Sequence, residues 1–330
     1  MQLMSTVTLL ITLIIASECL PAQLNSCKQV FQLKKTDTSI IIELIPSYKD
    51  ADLLKSKSME LLKMLDDYFI LPEQVYFFNH YKGPVYMDGV IAARIPFTET
   101  FSIGKIKKTS SDSIPIHLHE LTHQIFETTI NNIYKNHPEV IWAFTSRVDM
   151  KGEGPSIEFI NNTKHLTRFK NISSKQINDY FFKIRNTAEG YNELFADSVP
   201  VFLTGNPDAI FKNIYFKQVA EQGSDVEVLL MKNRRLRKFE NDIIPFSSTR
   251  DDHSVFYETR IWIWKNIYQD YYLLKHPNMP KGELLFKIFE AIIISLKSVT
   301  KNFSESGNNL NYVELNDNLI QTLKSEFKLN

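Results

Sequence analysis

Cysteine is scarce in this chain of 330 residues, which holds only Cys19 and Cys27. Cys19 falls inside an expected leader, so the mature protein would carry a single thiol. That excludes an internal disulfide framework and any cysteine-based metal site. An excess of charge is lacking too, since 38 Lys and Arg stand against 38 Asp and Glu. The overall field therefore favours neither a polyanion nor an anionic membrane surface as partner. The basic run Lys232-Asn233-Arg234-Arg235-Leu236-Arg237-Lys238 has no base-reading motif beside it and reads as a solvated helix face, so no nucleic-acid partner is expected. There is no internal repeat and no low-complexity tract. The apolar run over residues 6–16 is too short to span a bilayer, and no other segment is expected to cross one.

That run has the length of a signal-peptide core and is followed by small and polar residues. Its upstream segment, residues 1–5, carries no Lys or Arg. An uncleaved anchor and a buried first strand are the competing readings. The expectation is a signal peptide over residues 1–22, export to the cell envelope or medium (secreted or periplasmic), and one mature domain over residues 23–330. With 23 Phe and 14 Tyr, that domain has ample material for a packed core and does not read as disordered.

Along the domain, residues 39–44 (Ser-Ile-Ile-Ile-Glu-Leu) read as a buried strand. Residues 50–69 carry Leu53, Leu54, Leu61, Leu62 and Leu65 at helical spacing and end before Pro72. Residues 74–81 are aromatic-rich and strand-like, and further strands are expected within 85–96 and 98–106. A helix over 115–131 follows. Residues 152–172 read as a loop or insertion. Later helices are expected over 187–203, with Pro200 a kink and Gly205 a cap, and over 254–274 and 282–299.

The 115–131 helix carries His119-Glu120-Leu121-Thr122-His123. Histidines four apart project from one helix face, as two ligands of one metal require, and Glu120 beside them can act on a metal-bound water. His117, two before His119, points elsewhere. A catalytic zinc needs a third protein ligand and one open position. The metzincin completion would need glycine at 126 and histidine at 129, where this chain has Phe126 and Thr129. The remaining common completion is a glutamate on a later helix, and Asn192-Glu193-Leu194-Phe195-Ala196-Asp197 offers one. Glu193 would ligate, and Asp197 one turn on could fix the tautomer of a ligand imidazole. Glu189 is the nearest substitute for Glu193. Glu127, His137, Glu139 and Glu153 lack a supporting carboxylate or a suitable position.

The pair of motifs, His-Glu-Leu-Thr-His and then Asn-Glu-x-x-Ala-Asp, resembles the gluzincin zinc metallopeptidases, the thermolysin-like clan. Gly190 just ahead of the second motif resembles that family's lead-in. The resemblance implies Zn2+ held by His119, His123 and Glu193, with Glu120 as general base and Asp197 and Asn192 supporting the ligands. It implies an α+β zincin-like fold, with a mixed sheet and helix over residues 23–110, then the active-site helix and a mostly helical subdomain over 111–330, and the site between them. It also implies that a strand within residues 90–106 is the edge that pairs with an extended peptide. The roughly seventy residues between the two motifs exceed the thermolysin-like spacing, so an insertion is expected over residues 140–184. The longer gap also resembles the membrane-embedded prenyl-protein peptidases, but transmembrane helices flanking the motif are missing from this sequence.

A donor to the developing oxyanion completes such a site. Asp251-Asp252-His253-Ser254 resembles a segment of many bacterial gluzincins, which makes His253 the donor, Asp251 or Asp252 its orienting group, and Tyr257 the alternative donor. The expected function is an exported zinc peptidase acting on a peptide or protein substrate. The alternative is a non-catalytic exported binding protein on the same scaffold, for which Glu120 would have no task.

Overall fold

The structure is a computed structural model. It describes residues 27–32, 37–43, 51–79, 85–87, 90–93, 101–103, 106–108, 114–134, 140, 174–211, 237–240, 252–306 and 311–329. The expected leader and the expected loop at 152–172 lie outside these residues, as do His80, His137, Glu139, Glu153, His165 and Asp251.

Strands come first and long helices follow, and helices account for most of the described residues. Strand β1 (Cys27–Gln32) runs antiparallel to β2 (Asp37–Glu43), with Cys27 opposite Ile42 and Gln32 opposite Asp37. Helix α1 (Ala51–Leu65) then carries the chain over to β3 (Gln74–Asn79), which pairs parallel to β2. A parallel pair cannot be joined by a tight turn, and the helix supplies the required crossover. Strand β4 (Val85–Met87) turns back on β5 (Val90–Ala93), and β5 lies parallel to β3. The order across this five-stranded mixed sheet is β1-β2-β3-β5-β4. The alternation of Val30 and Phe31 with Lys28, Gln29 and Gln32 is too polar to flag β1 from sequence, and β1 occupies an edge, where such composition is tolerated.

One expectation about strands narrows and another changes. Strand β5 is paired on both sides, so it is not an edge. The single strand expected over 98–106 is instead a separate hairpin, β6 (Phe101–Ile103) against β7 (Ile106–Lys108), with Ile103 opposite Ile106. Only Gly104 and Lys105 separate that pair in sequence, the length of a tight hairpin. Among the described strands within 90–106, β6 alone has an unpaired side.

Helix α2 (Ile114–Ile133) carries the histidines. Helix α3 (Ser174–Thr204) starts thirteen residues ahead of the expected 187, so residues 174–184 of the expected insertion are part of this helix. Its first half carries Lys, Gln, Asn and Asp among the apolar residues, which blurs the periodicity there. It also runs through Pro200 to its end, where Gly205 at φ 65° donates its N–H to the carbonyl of Val201 at 2.8 Å. A left-handed residue at this position is the usual helix stop. Helix α4 (Tyr257–Trp262) passes directly into a π-helix (Ile263–Lys275), and α5 (Lys281–Ser306) and α6 (Tyr312–Phe327) complete the fold. Helix α6 was not read from sequence although its start is signalled. Asn311 accepts from the N–H groups of Val313 and Glu314 while Glu314 accepts from Asn311 N–H, a reciprocal capping box.

The core between α2, α3 and α5 is built of phenylalanines. Phe126 on α2 lies 5.4 Å from Phe195 on α3 and 5.3 Å from Phe289 on α5, ring centre to ring centre. Phe69, just after α1, lies 5.6 Å from Phe195 and 5.5 Å from Phe289. All four are essentially fully buried, each contributing about 1.5–3 kcal/mol by removal from water. Phe126 follows His123 by one turn and Phe195 follows Glu193 by two residues, so this cluster sets how the two motif helices face each other. The position at which a metzincin would need glycine is thus a core anchor here.

Candidate metal centre

Helix α2 is buried along most of its length because it lies between the sheet and α3. Gln124 donates to the carbonyl of Gln74 on β3 at 2.9 Å, and the His117 ring faces Phe77 of β3 at 6.3 Å between centres. His117 therefore points to the sheet, as its offset from His119 implies. His119, Glu120 and His123 are 2, 7 and 7 % exposed, and the two histidines, on the side away from His117, meet α3.

The imidazoles of His119 and His123 approach with Nε2 to Nε2 at 3.0 Å, rings nearly perpendicular at 84°. The far nitrogen of each ring faces a residue of α3. His123 Nδ1 donates to Asn192 Oδ1 at 2.9 Å. His119 Nδ1 lies 3.0 Å from Asp197 Oδ1, close enough for strong attraction although the ring N–H is not aligned on the oxygen. A proton on each Nδ1 turns two Nε2 lone pairs toward each other at hydrogen-bond distance. Two such lone pairs repel unless a proton or a cation lies between them. Glu193 adds negative charge at the same place, with Oε2 3.5 Å from His119 Nε2 and Oε1 3.5 Å from His123 Nε2. Ligand atoms on a four-coordinate ion at its usual bond lengths stand about 3.3 Å apart, near the 3.0 Å between the two Nε2 atoms and the 3.5 Å from each Nε2 to a different Glu193 oxygen. Each glutamate oxygen faces one histidine, so the carboxylate spans the pair.

Ligand-type atoms of His119, Glu120 and His123 all lie within 4.8 Å of one another, as do those of His119, Glu193 and Asp197. These buried groups could hold a metal ion, and the donor set, imidazole nitrogen with carboxylate oxygen, suits zinc among others. Glu127 and Glu189 are in neither group, whereas Glu193 shares one with His119 and Asp197.

The electrostatics follow from burial and pairing. Burial opposes charge on His123, but the carboxylates of Glu193 and Glu120 and the bond to Asn192 outweigh it and hold its pKa above the ordinary value. Burial likewise works against ionised Glu193, and Arg237, His119, His123 and His253 together hold that carboxyl below its usual range. Asp197, wholly buried, is held well below its usual range because the guanidinium groups of Arg237 and Arg260 overcome the burial penalty.

These two arginines were missed from sequence. Arg237 belongs to the run read as a solvated face, yet it is 4 % exposed. The reading fails at this residue because its guanidinium has buried acids to answer. Its Nη2 bonds Asp197 Oδ1 and lies 3.0 Å from Glu193 Oε2 and 3.4 Å from His119 Nε2, and its Nε donates to Asp197 Oδ2 at 3.2 Å. Arg260, fully buried, donates from Nε and Nη2 to Asp197 Oδ2 at 3.0 and 2.8 Å. A signal existed for Arg260. It sits four residues from both Phe256 and Trp264 on a buried stripe, and a charge on such a stripe requires a buried partner.

His253 also reaches the centre. Its Nε2 lies 3.5 Å from Glu193 Oε1, and its Nδ1 pairs with Asp252 Oδ1 at 2.7 Å, so Asp252 is the orienting acid. Burial lowers the His253 pKa less than Asp252 and Glu193 raise it. Two features hold this segment in place. Gly190 leaves room for it, since a Cβ there would lie 2.5 Å from Val255 Cγ1. Asn316 of α6 accepts from Thr259 N–H and Oγ1 at 2.9 and 2.7 Å and donates to the Val255 carbonyl at 2.7 Å. Tyr257 is 8 % exposed at the start of α4, and His276 packs on Tyr271 at the end of the π-helix.

No family model matches the chain, and neither a curated protein nor a solved structure matches it. Among the described residues no helix is long and apolar enough to cross a membrane.

Proposed function

We propose that this protein is an exported zinc-dependent peptidase of the gluzincin kind, with an α+β zincin-like fold. The observation that carries the reading is the convergence of His119 Nε2, His123 Nε2 and the Glu193 carboxylate, each histidine backed at Nδ1 by its own α3 residue. His119, His123 and Glu193 would hold the metal. Zinc bound there would supply an acidified water and polarise the carbonyl of the scissile bond. Glu120 takes the proton from the attacking water and delivers it to the leaving amine. Asn192 and Asp197 keep the ligand imidazoles in the tautomer that offers Nε2. His253, oriented by Asp252, offers an N–H at Nε2 to the oxygen that becomes negative. The packing of Phe126 on Phe195 holds α2 and α3 together around these buried groups.

A non-catalytic binding protein would share the scaffold and differ in what Glu120 does. Metal analysis of the purified protein should find one zinc per chain, and Glu193→Ala should lose it. Glu120→Gln should keep the metal while cleavage of a peptide library falls by about 10²–10⁴-fold. Parent-like turnover in Glu120→Gln would remove the proposed base, and a parent protein that takes up no metal would remove the reading altogether.

A further inference from the structure

We propose that Arg237 is a positioning residue that restricts Glu193 to metal ligation through one oxygen, Oε1. The inference rests on the metal reading above and concerns how the third ligand is presented. Carboxylates bind metals through one or both oxygens, and the choice sets how many positions remain for water and substrate. In this site the two oxygens of Glu193 are not equivalent. Oε2 takes a charge-assisted hydrogen bond from Arg237 Nη2 at 3.0 Å. Oε2 also lies 3.5 Å from His119 Nε2, whereas among the described residues no guanidinium bonds Oε1, which faces His123 Nε2 and His253 Nε2, each at 3.5 Å.

Arg237 is itself fixed. Its Nε and Nη2 both bond Asp197, which is locked in turn by Nε and Nη2 of Arg260. A guanidinium is planar and its donors keep a rigid fork, so a group anchored on Asp197 presents Nη2 to Glu193 with little freedom. Rotating Glu193 to offer both oxygens would break that bond inside a buried site, where an unanswered charge is costly. Arg237 also lies 3.4 Å from His119 Nε2, so one side chain touches a histidine ligand, the glutamate ligand and the acid behind the histidine. A lysine in its place could answer one carboxylate but could not bridge two.

The test uses the full-length protein loaded with Co2+, whose visible absorption reports coordination number, together with crystal structures of the cobalt forms. In the parent, one Glu193 oxygen should lie at bonding distance, with the strong band of a four-coordinate ion. In Arg237→Met that band should weaken toward a five-coordinate spectrum, with both oxygens at bonding distance. Arg237→Lys keeps the buried charge and covers the case in which the methionine variant does not fold; it should show the same loss. If both Arg237 variants keep the parent spectrum and single-oxygen ligation, the clamp is wrong and the metal reading stands. If the parent binds no Co2+, the metal reading fails and the clamp fails with it.

Discussion

Asp197→Asn is the substitution that tests the buried charge network most directly. It is close to isosteric, so cavity formation plays no part, and it removes the one negative charge opposite two buried guanidinium groups. Arg237 keeps Glu193 as a second acid, at 3.0 Å. Arg260 has its ion pair with Asp197 and would be left as a fully buried cation with an amide for a partner. Removing one member of a buried pair costs about 3–5 kcal/mol, because the surviving charge stays out of water. Unfolding entropy of about 2.1 cal/mol/K per residue makes that a fall of about 4–7 °C in Tm for a chain of this length. Differential scanning calorimetry in excess chelator reads this effect without a metal contribution. The double variant Asp197→Asn/Arg260→Met should recover part of the loss, since no unpaired cation remains at that place. If Asp197→Asn melts within a degree of the parent, or the second substitution adds its own full cost, the network is not held together by these charges. With metal present a second effect should appear, a 10–100-fold weaker affinity, because Asp197 no longer orients His119 (about the range for partners of metal ligands).

Acid should erase the Asp197 contribution in a set direction. Its folded pKa lies well below the ordinary 3.8, so the stabilisation is present above that value and is lost as pH falls through the folded one. The stability gap between parent and Asp197→Asn, measured by urea unfolding in chelator, should be flat above about pH 5 and narrow below about pH 4; a gap that widens with acid would reverse the sign. Gly190→Ala should cost about 1–3 kcal/mol through overpacking against Val255, and it should lower activity more than metal content, because Val255 sits two residues from His253. Equal stability in that variant would mean that α3 and the 252–256 segment part easily.

Much of the candidate centre is legible in the sequence because helical spacing is a local rule. Residues four apart lie on one face, which brings His119 and His123 together and sets Asp197 one turn beyond Glu193 before any packing is known. The choice of Glu193 over Glu189 and Glu127 also emerges from the run Asn192–Asp197, since only that glutamate has both an amide neighbour and an acid one turn away. The long apolar periodicities of α1, α2 and α5 were equally readable. Polar or short elements were not, as β1, the first half of α3 and the β6–β7 hairpin illustrate, because their pattern is weak without the neighbours that complete them.

What the sequence by itself determined is therefore the donor side chains that could hold a metal and their order along two helices. The meeting of those helices was decided by the tertiary structure, through Phe69, Phe126, Phe195 and Phe289, residues that carry no chemistry of their own. Arg237 belongs wholly to the second category. A buried and a solvated arginine look alike in a basic run, and only the position of Asp197, far away in the chain, turns Arg237 inward.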